Sequence, residues 1–283
     1  MDNLNLFLAQ DGNWVTANCI RDALRQVVSV KCKVLYMHSG LTFGAPNPAM
    51  KRKEILEVLF GLIQEVGVPT LCVPTFTFSF CNGEDYDLLR SKSSMGALNE
   101  FIRQRPEATR SMDPLMSIAV IGERLDLATN LGHSSIGAES TFDKLDQCDG
   151  VEFLLFGKRT GDCLTYMHYL EWVAGVPYRY ERPFTGRIHD AHHSYEDTYN
   201  LFVRYNNVHP NAENTFAYED LLRHRGHLKF AGVGDSRLQG VPLEAVRSVY
   251  LELLSKDPFY FIMAPFHPAH ADENFHVSDM VAL

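Results

Sequence analysis

Apolar and polar positions divide most of the chain into alternating strand-like and helix-like stretches. Residues 33–37 form a short run of β-preferring apolar side chains ending at the polar turn His38, Ser39, Gly40, which reads as a buried strand feeding a functional loop. Between 50 and 66, Ile55, Leu56, Val58, Leu59, Leu62, Ile63 and Val66 recur at helical spacing until Gly67 and Pro69 stop the pattern, predicting an amphipathic helix. Residues 70–80 read as a second strand, interrupted at Pro74 and running out into an aromatic loop.

Residues 81–95 are polar and suit a surface loop, and 95–103 have helical character with Ser94 placed to cap them. Strands are expected at 117–121 and 151–156, and a helix at 164–174 that Gly175 and Pro177 end. Residues 178–215, rich in Tyr, His, Arg and Asn, sustain neither period and read as a long insertion beside the site. The tail regains order with a helix at 217–223, a strand at 228–233, a helix at 242–255 and an apolar piece at 259–264. With no internal repeat and no low-complexity linker, the expected class is α/β, one large domain over residues 1–283.

Composition narrows the function classes. Hydrophobic residues make up 46% and charged residues 22%, the balance of a globular protein that folds unaided. The formal charge of -9 opposes binding to phosphate backbones, so nucleic acid is not an expected partner. Arg103, Arg105 and Arg110 nevertheless crowd together before Asp113, enough positive charge for a small anionic cofactor. The six cysteines, Cys19, Cys32, Cys72, Cys81, Cys148 and Cys163, form no CxxC pair or disulfide framework and read as reduced thiols in a cytoplasm. The start, Met1, Asp2, Asn3, Leu4, Asn5, is polar, and no stretch reaches the roughly 18 to 20 apolar residues of a membrane span. Neither export nor membrane anchoring is expected.

The most informative local feature is His168 with Glu171, which share one face of a helix at i, i+3. A neutral imidazole can take a proton from an amine, and a carboxylate orients the ring and stabilises the imidazolium formed. The spacing also occurs by chance, and HxxE can supply two zinc ligands. His133, His189, His192, His193, His267 and His270 could add a third, but none has a recognisable ligand spacing to the pair, so no metal is expected.

An ordered series of motifs decides between these readings. His38-Ser39-Gly40-Leu41, then Cys72-Val73-Pro74-Thr75-Phe76-Thr77, Met95-Gly96-Ala97-Leu98, Arg105-Pro106-Glu107-Ala108-Thr109-Arg110-Ser111-Met112-Asp113-Pro114, Ser117 to Gly122, Thr165 to Glu171 and Gly232 to Leu238 resemble successive blocks of the aminoglycoside 3-N-acetyltransferase family. The resemblance implies an N-acyltransferase with that family's own α/β fold, using acetyl-CoA or another acyl-CoA. It implies His168 as general base with Glu171 or Glu139 as its partner, and Thr165 near the thioester. It places His38, Ser39, Gly40 and Thr75 along the pantetheine arm. Cofactor phosphates are expected on Ser94, Met95 and Gly96 at a helix start, with a bidentate contact from Arg110.

Asp113 departs from the pattern, because antibiotic-modifying members commonly carry His there. An aspartate could accept from a sugar hydroxyl or attract an ammonium group, or it could simply cap the turn before Pro114. Together with the aromatic stretch 178–205, which could stack on a base, it favours a nucleotide-linked amino sugar of surface-polysaccharide biosynthesis as the small-molecule acceptor. The alternatives are an aminoglycoside antibiotic and, from a different class, an HxxE zinc hydrolase; a homodimer is left open. Cys163 and Cys81 invite a covalent route, but buried cysteine is usually a small hydrophobe, and direct transfer is preferred. Gly232-Val233-Gly234 lacks the third glycine of a dinucleotide fingerprint, and alternating Phe76, Phe78 and Phe80 read as core.

Overall fold

The computed structural model of the protein describes residues 3–275; Met1 and Asp2, which open the N-terminal reading, lie outside the described residues. The chain begins with a small antiparallel pair, β1 (Asn5–Leu8) and β2 (Trp14–Thr16), and a helix α1 (Ala17–Val27) whose first turn is capped by the Thr16 hydroxyl accepting from Cys19 N–H. It continues through β3 (Val34–Ser39), β4 (Ala45–Pro46), α2 (Arg52–Gln64), β5 (Thr70–Pro74), β6 (Tyr86–Asp87), α3 (Ala97–Arg103), β7 (Thr109–Arg110) and β8 (Ile118–Gly122). Then follow α4 (Thr141–Asp146), β9 (Val151–Phe156), the short α5 (Thr160–Cys163), α6 (Tyr166–Ala174), β10 (Arg179–His189) and β11 (Ser194–Arg204). The described part closes with α7 (Ala212–His224), β12 (Lys229–Val233), β13 (Ser236–Pro242) and α8 (Leu243–Lys256).

Seven strands form the main sheet in the order β12-β13-β9-β3-β5-β8-β7. The three in the middle, β9, β3 and β5, are parallel, and those outside them pair antiparallel. Side chains alternate across this sheet. Tyr36, Cys72, Phe153 and Leu155 meet α4, α6, α7 and α8 on one face, while Leu35, Met37, Leu71, Val73, Leu154 and Phe156 meet α1, α2 and α3 on the other. Burial on both faces is why β3 and β9 appear in the sequence as unbroken apolar runs rather than as alternations. Among the described residues no helix is long and apolar enough to cross a membrane.

Several expected elements change. The strand at 70–80 ends at Pro74, beyond which Thr75 N–H donates to Ser117 O at 2.8 Å and Phe78 turns the chain with φ 59°. Phe76, Phe78 and Phe80 are still buried in the core, but not as one face of a strand. Ser94 does not cap α3: the cap position is Gly96, and the Ser94 hydroxyl donates to Phe76 O at 3.0 Å. The supposed insertion at 178–215 is an ordered hairpin in which β10 and β11 pair from Arg179 opposite Arg204 to His189 opposite Ser194. Its polar faces, with Pro183 and Gly186 inside β10, hide the strand period. β13 is a further strand the pattern misses, because Ser236, Arg237, Gln239 and Gly240 dilute its apolar positions. The apolar piece at 259–264 forms no regular element beyond a bridge between Ile262 and Pro210, but Phe261 and Ile262 pack into the core.

Candidate active site

In a sheet of this kind, crevices form outside the carboxyl ends of the parallel strands where neighbours lead off in opposite directions. β3 is such a position, with β5 on one side and β9 on the other. The strand ends there are knitted closely. Gly157, just after β9, has φ +72°, and a Cβ on it would lie 1.9 Å from Gly40 O; Gly40 N–H in turn donates to Phe156 O at 2.7 Å. Gly96 (φ +92°) brings the start of α3 so close that a Cβ would lie 3.3 Å from Ser39 O.

A cavity of about 350 Å³ opens at this point, lined among others by His38, Ser39, Phe76, Met95, Cys163 and Thr165. A second, of about 110 Å³, shares Cys163 and Thr165 with it and is lined by His168, Glu171, Arg179 and Arg204. In the other direction Ser39, Gly40 and Gly96 also line a cavity of about 520 Å³ that reaches Arg52. Arg52 and Gly96 then belong to a cleft of about 740 Å³ edged by Lys53, Lys92 and Arg105. Shared lining residues link these four cavities in series, from His168 to a basic surface rim.

Helix α6 carries the candidate base. Tyr166, Tyr169 and Trp172 stack along one face at centroid spacings of 5.6 and 5.9 Å, with Tyr166 bonded to Asp146 and Tyr169 to Asp143. This anchors the helix so that His168 and Glu171, on another face, line the cavity. His168 Nδ1 lies 3.0 Å from Glu171 Oε2. Glu171 Oε1 accepts from the Tyr178 hydroxyl at 2.8 Å, and Oε2 is 2.7 Å from Arg179 Nε. Arg179 Nη2 lies 2.8 Å from His168 Nδ1. Burial, reinforced by the Arg179 cation, pushes the His168 pKa down to about 4 despite Glu171. Burial opposes charge on Glu171, but Arg179, His168 and Tyr178 together hold its carboxyl down at about 2. The imidazole is therefore neutral and the carboxylate ionised at neutral pH, and no hydrogen bond occupies His168 Nε2 among the described residues.

The other expected residues separate into two groups. His38, Ser39, Gly40, Ser94, Met95, Gly96 and Thr165 all line these cavities. The buried His38 Nε2 has no hydrogen-bond partner, and burial, aided by Lys158, pushes its pKa down to about 3. Ser39 donates its hydroxyl to Asn99 Oδ1 at 2.6 Å, and Asn99 donates to Pro74 O.

Thr75, Arg110, Asp113 and Glu139 line none of these cavities. Thr75 is fully buried, and Arg110 spends all five N–H donors on Thr75, Leu88 O, Ser91 O and Ser117. With no donor left for a phosphate, Arg110 clips the loop before α3 to the sheet. Asp113 Oδ1 accepts from Leu115 N–H, Met116 N–H and the Ser135 hydroxyl at 2.9, 3.1 and 2.8 Å, the arrangement of the turn-capping reading. Glu139 is exposed, in a left-handed turn with φ 60°, and it is Glu171 that touches His168. The sequence reading missed Arg179 and Tyr178, which stand where it found no period, and Lys158, which lines the cavity of about 350 Å³ beside His38.

The zinc reading meets a cation already in place, since Arg179 touches both members of the HxxE pair. Among the described residues no group of three or more His, Cys, Asp or Glu stands close enough to hold a metal ion.

Comparison with known proteins places the chain. The sequence profile described as aminoglycoside 3-N-acetyltransferase matches residues 52–255. Aminoglycoside N(3)-acetyltransferase III of Salmonella sp is 33% identical over 99 residues, covering 32% of this chain. That alignment spans about a third (34%) of the relative's length. Among solved structures, AAC-IIIb bound to CoASH superposes with a TM-score of 0.69 at 16% identity, over 89% of this chain and 99% of the other. A mutant of AAC(3)-IVa in complex with a gentamicin gives 0.67 at 20%, over 91% and 93%. These structures share the fold described above, and with the profile match across most of the sequence, the chain belongs to the aminoglycoside 3-N-acetyltransferase family.

Proposed function

We propose that this protein transfers an acetyl group from acetyl-CoA to the 3-amino group of an aminoglycoside, with His168 as general base. The observation that carries this reading is the series of cavities that share lining residues from the His168 pocket, through Cys163 and Thr165, to the end of β3 and on to a basic rim. Its residues fit a coenzyme A thioester. Arg52, Lys53 and Lys92 on the rim would meet phosphates, Phe76 and Met95 would flank the pantetheine chain, and the buried, unpartnered His38 Nε2 offers a polar contact inside. Bound acetyl-CoA would supply a carbonyl already activated as a thioester.

The protein's share of the work is then proton transfer and positioning. His168 takes the proton of the attacking amine on Nε2, while Glu171 accepts from Nδ1–H and holds the ring. Thr165, one helical turn earlier and shared by both cavities, stands between the two reactants and contributes a hydroxyl. Cys163 is also at the junction, but burial pushes its pKa up to about 12, so it stays a thiol and direct transfer is favoured over an acyl-enzyme.

The acceptor is the point on which the sequence expectation changes. The nucleotide-linked sugar rested on Asp113, whose carboxylate caps its own loop, and on a supposed insertion that is a regular hairpin. Family membership and the gentamicin-bound neighbour support the aminoglycoside instead. Free-thiol release from acetyl-CoA, measured with gentamicin and with a nucleotide-linked amino sugar in parallel, tests this. Release with gentamicin is expected; release with the nucleotide sugar alone would overturn the acceptor, and release with neither would overturn the activity.

A further inference from the structure

A carboxylate beside a histidine ordinarily stabilises the imidazolium and raises its pKa. Here the carboxylate is shared. Glu171 Oε2 is 3.0 Å from His168 Nδ1 and 2.7 Å from Arg179 Nε, while Arg179 Nη2 is itself 2.8 Å from Nδ1. Side-chain exposure is 5% for both Glu171 and Arg179 and 12% for His168. Arg179 is fixed from behind, its Nη1 donating to Phe202 O on the paired strand at 3.1 Å.

We propose that Arg179 is a positioning residue that keeps His168 unprotonated by neutralising Glu171 from the strand side. The inference rests on His168 acting as the base. With Arg179 present, the carboxylate, guanidinium and neutral imidazole together carry no net charge, and a proton on His168 would leave a buried net cation. Without Arg179, the carboxylate would be a buried anion, and protonating His168 would cancel it. Burial penalises whichever state carries the net charge, so removing the guanidinium reverses the preference of the ring.

Nδ1 fits this account in either neutral form, donating to Glu171 or accepting from Arg179. Only the imidazolium must place a proton and a positive charge against the guanidinium. Of the other groups lining the His168 pocket, Arg204 alone is also a cation, and it too opposes the imidazolium, less strongly than Arg179. From the α5 side come Asp162, which is exposed, and Cys163, a protonated thiol; from α8 comes Tyr250, a neutral phenol; β11 adds a second cation, Arg204. Tyr178 donates to the far oxygen of Glu171. Lysine would keep the charge but lose the planar fork that reaches both partners.

Two measurements on the full chain test the proposal. The first is the titration of His168 in the protein without substrates, followed by NMR of its imidazole protons. In the wild type the ring is expected to remain neutral at pH 6; in Arg179→Gln its midpoint should rise by at least about one pH unit, and in Arg179→Lys it should move by less than half as much. The second is kcat against pH for acetyl transfer. Arg179→Gln should lose about twofold or more at pH 5 relative to wild type and recover that loss by pH 9, with KM for acetyl-CoA unchanged.

A His168 midpoint that does not rise in Arg179→Gln, or a rate loss of equal size at every pH, would overturn the proposal. If Arg179→Gln does not fold, Arg179→Lys decides, since a rise there as large as a full unit contradicts a role based on charge. His168→Asn separates this from the underlying reading: full transfer by that variant refutes the general base, whatever the NMR midpoint does.

Discussion

Glu171 Oε2 lies 3.0 Å from His168 Nδ1 across one turn of α6, and the same oxygen is 2.7 Å from Arg179 Nε. Removing its charge therefore disturbs both partners. Glu171→Gln is expected to lower kcat by about 10²-fold or more, since the base loses its orienting acceptor. It should also cost about 3 to 5 kcal/mol of stability by leaving a buried guanidinium unpaired. Chemical denaturation and single-turnover rates on the same variant check the two effects; a stable variant with reduced kcat alone would count against the buried ion pair.

The same groups are expected to make the fold acid-labile. His168 and His38, with folded pKa values of about 4 and about 3 against an ordinary 6.5, bind fewer protons folded than unfolded, so their neutral burial carries no penalty above about pH 6.5. Stability is then lost as the pH falls towards the folded values, on the order of 1.4 kcal/mol per pH unit per histidine. Glu171, held at about 2, adds a loss in the same direction below its ordinary pKa of 4.5. Urea midpoints should fall steeply from pH 7 to pH 5, and less steeply in His38→Asn. Equal slopes in the two proteins would remove His38 from this account.

Asp113 caps its own turn through Oδ1. Asp113→Ala leaves the Leu115 and Met116 N–H groups without their acceptor and should destabilise the protein by about 1 to 3 kcal/mol. KM for the aminoglycoside should stay within twofold of wild type. A large rise in acceptor KM with unchanged melting temperature would restore the substrate-binding reading.

Gly157 has no room for a side chain, because its Cβ would sit 1.9 Å from Gly40 O at φ +72°. Gly157→Ala should therefore cost about 1 to 3 kcal/mol from backbone strain, with more from the clash. It should also raise KM for acetyl-CoA by moving the 38–40 turn. Melting curves and initial-rate kinetics test this; a variant as stable as wild type would show that the strand ends can separate freely.

On the rim, Lys92 is exposed, whereas Arg105 is tied to Glu57 and Glu107 and lies over Phe60 and Phe101. Lys92→Glu is expected to raise KM for acetyl-CoA about 5- to 20-fold with kcat nearly unchanged, an effect that shrinks as salt screens it. Arg105→Gln should act mainly on stability. If Lys92→Glu leaves KM unchanged at low salt, the phosphates lie elsewhere.

What the sequence determined by itself was local or repetitive. The runs at β3 and β9 were legible because both faces of those strands are buried, and α2 and α6 because helical periodicity and their stop residues are written within one segment. His168 and Glu171 were legible as a pair because i, i+3 spacing already places them on one helix face, and the ordered motifs were enough to identify the family. Tertiary structure decided the roles that depend on which groups are left free. Arg110 and Asp113 looked like ligand-binding residues until folding used every donor of one, and one carboxylate oxygen of the other, inside the protein. Arg179 looked like one polar residue in a patternless stretch until the β10–β11 pairing held it against Glu171. A hydrogen-bonding group's type is written in the sequence, but its partner comes from a distant segment, and only that partner decides whether the group holds the fold or remains available for chemistry.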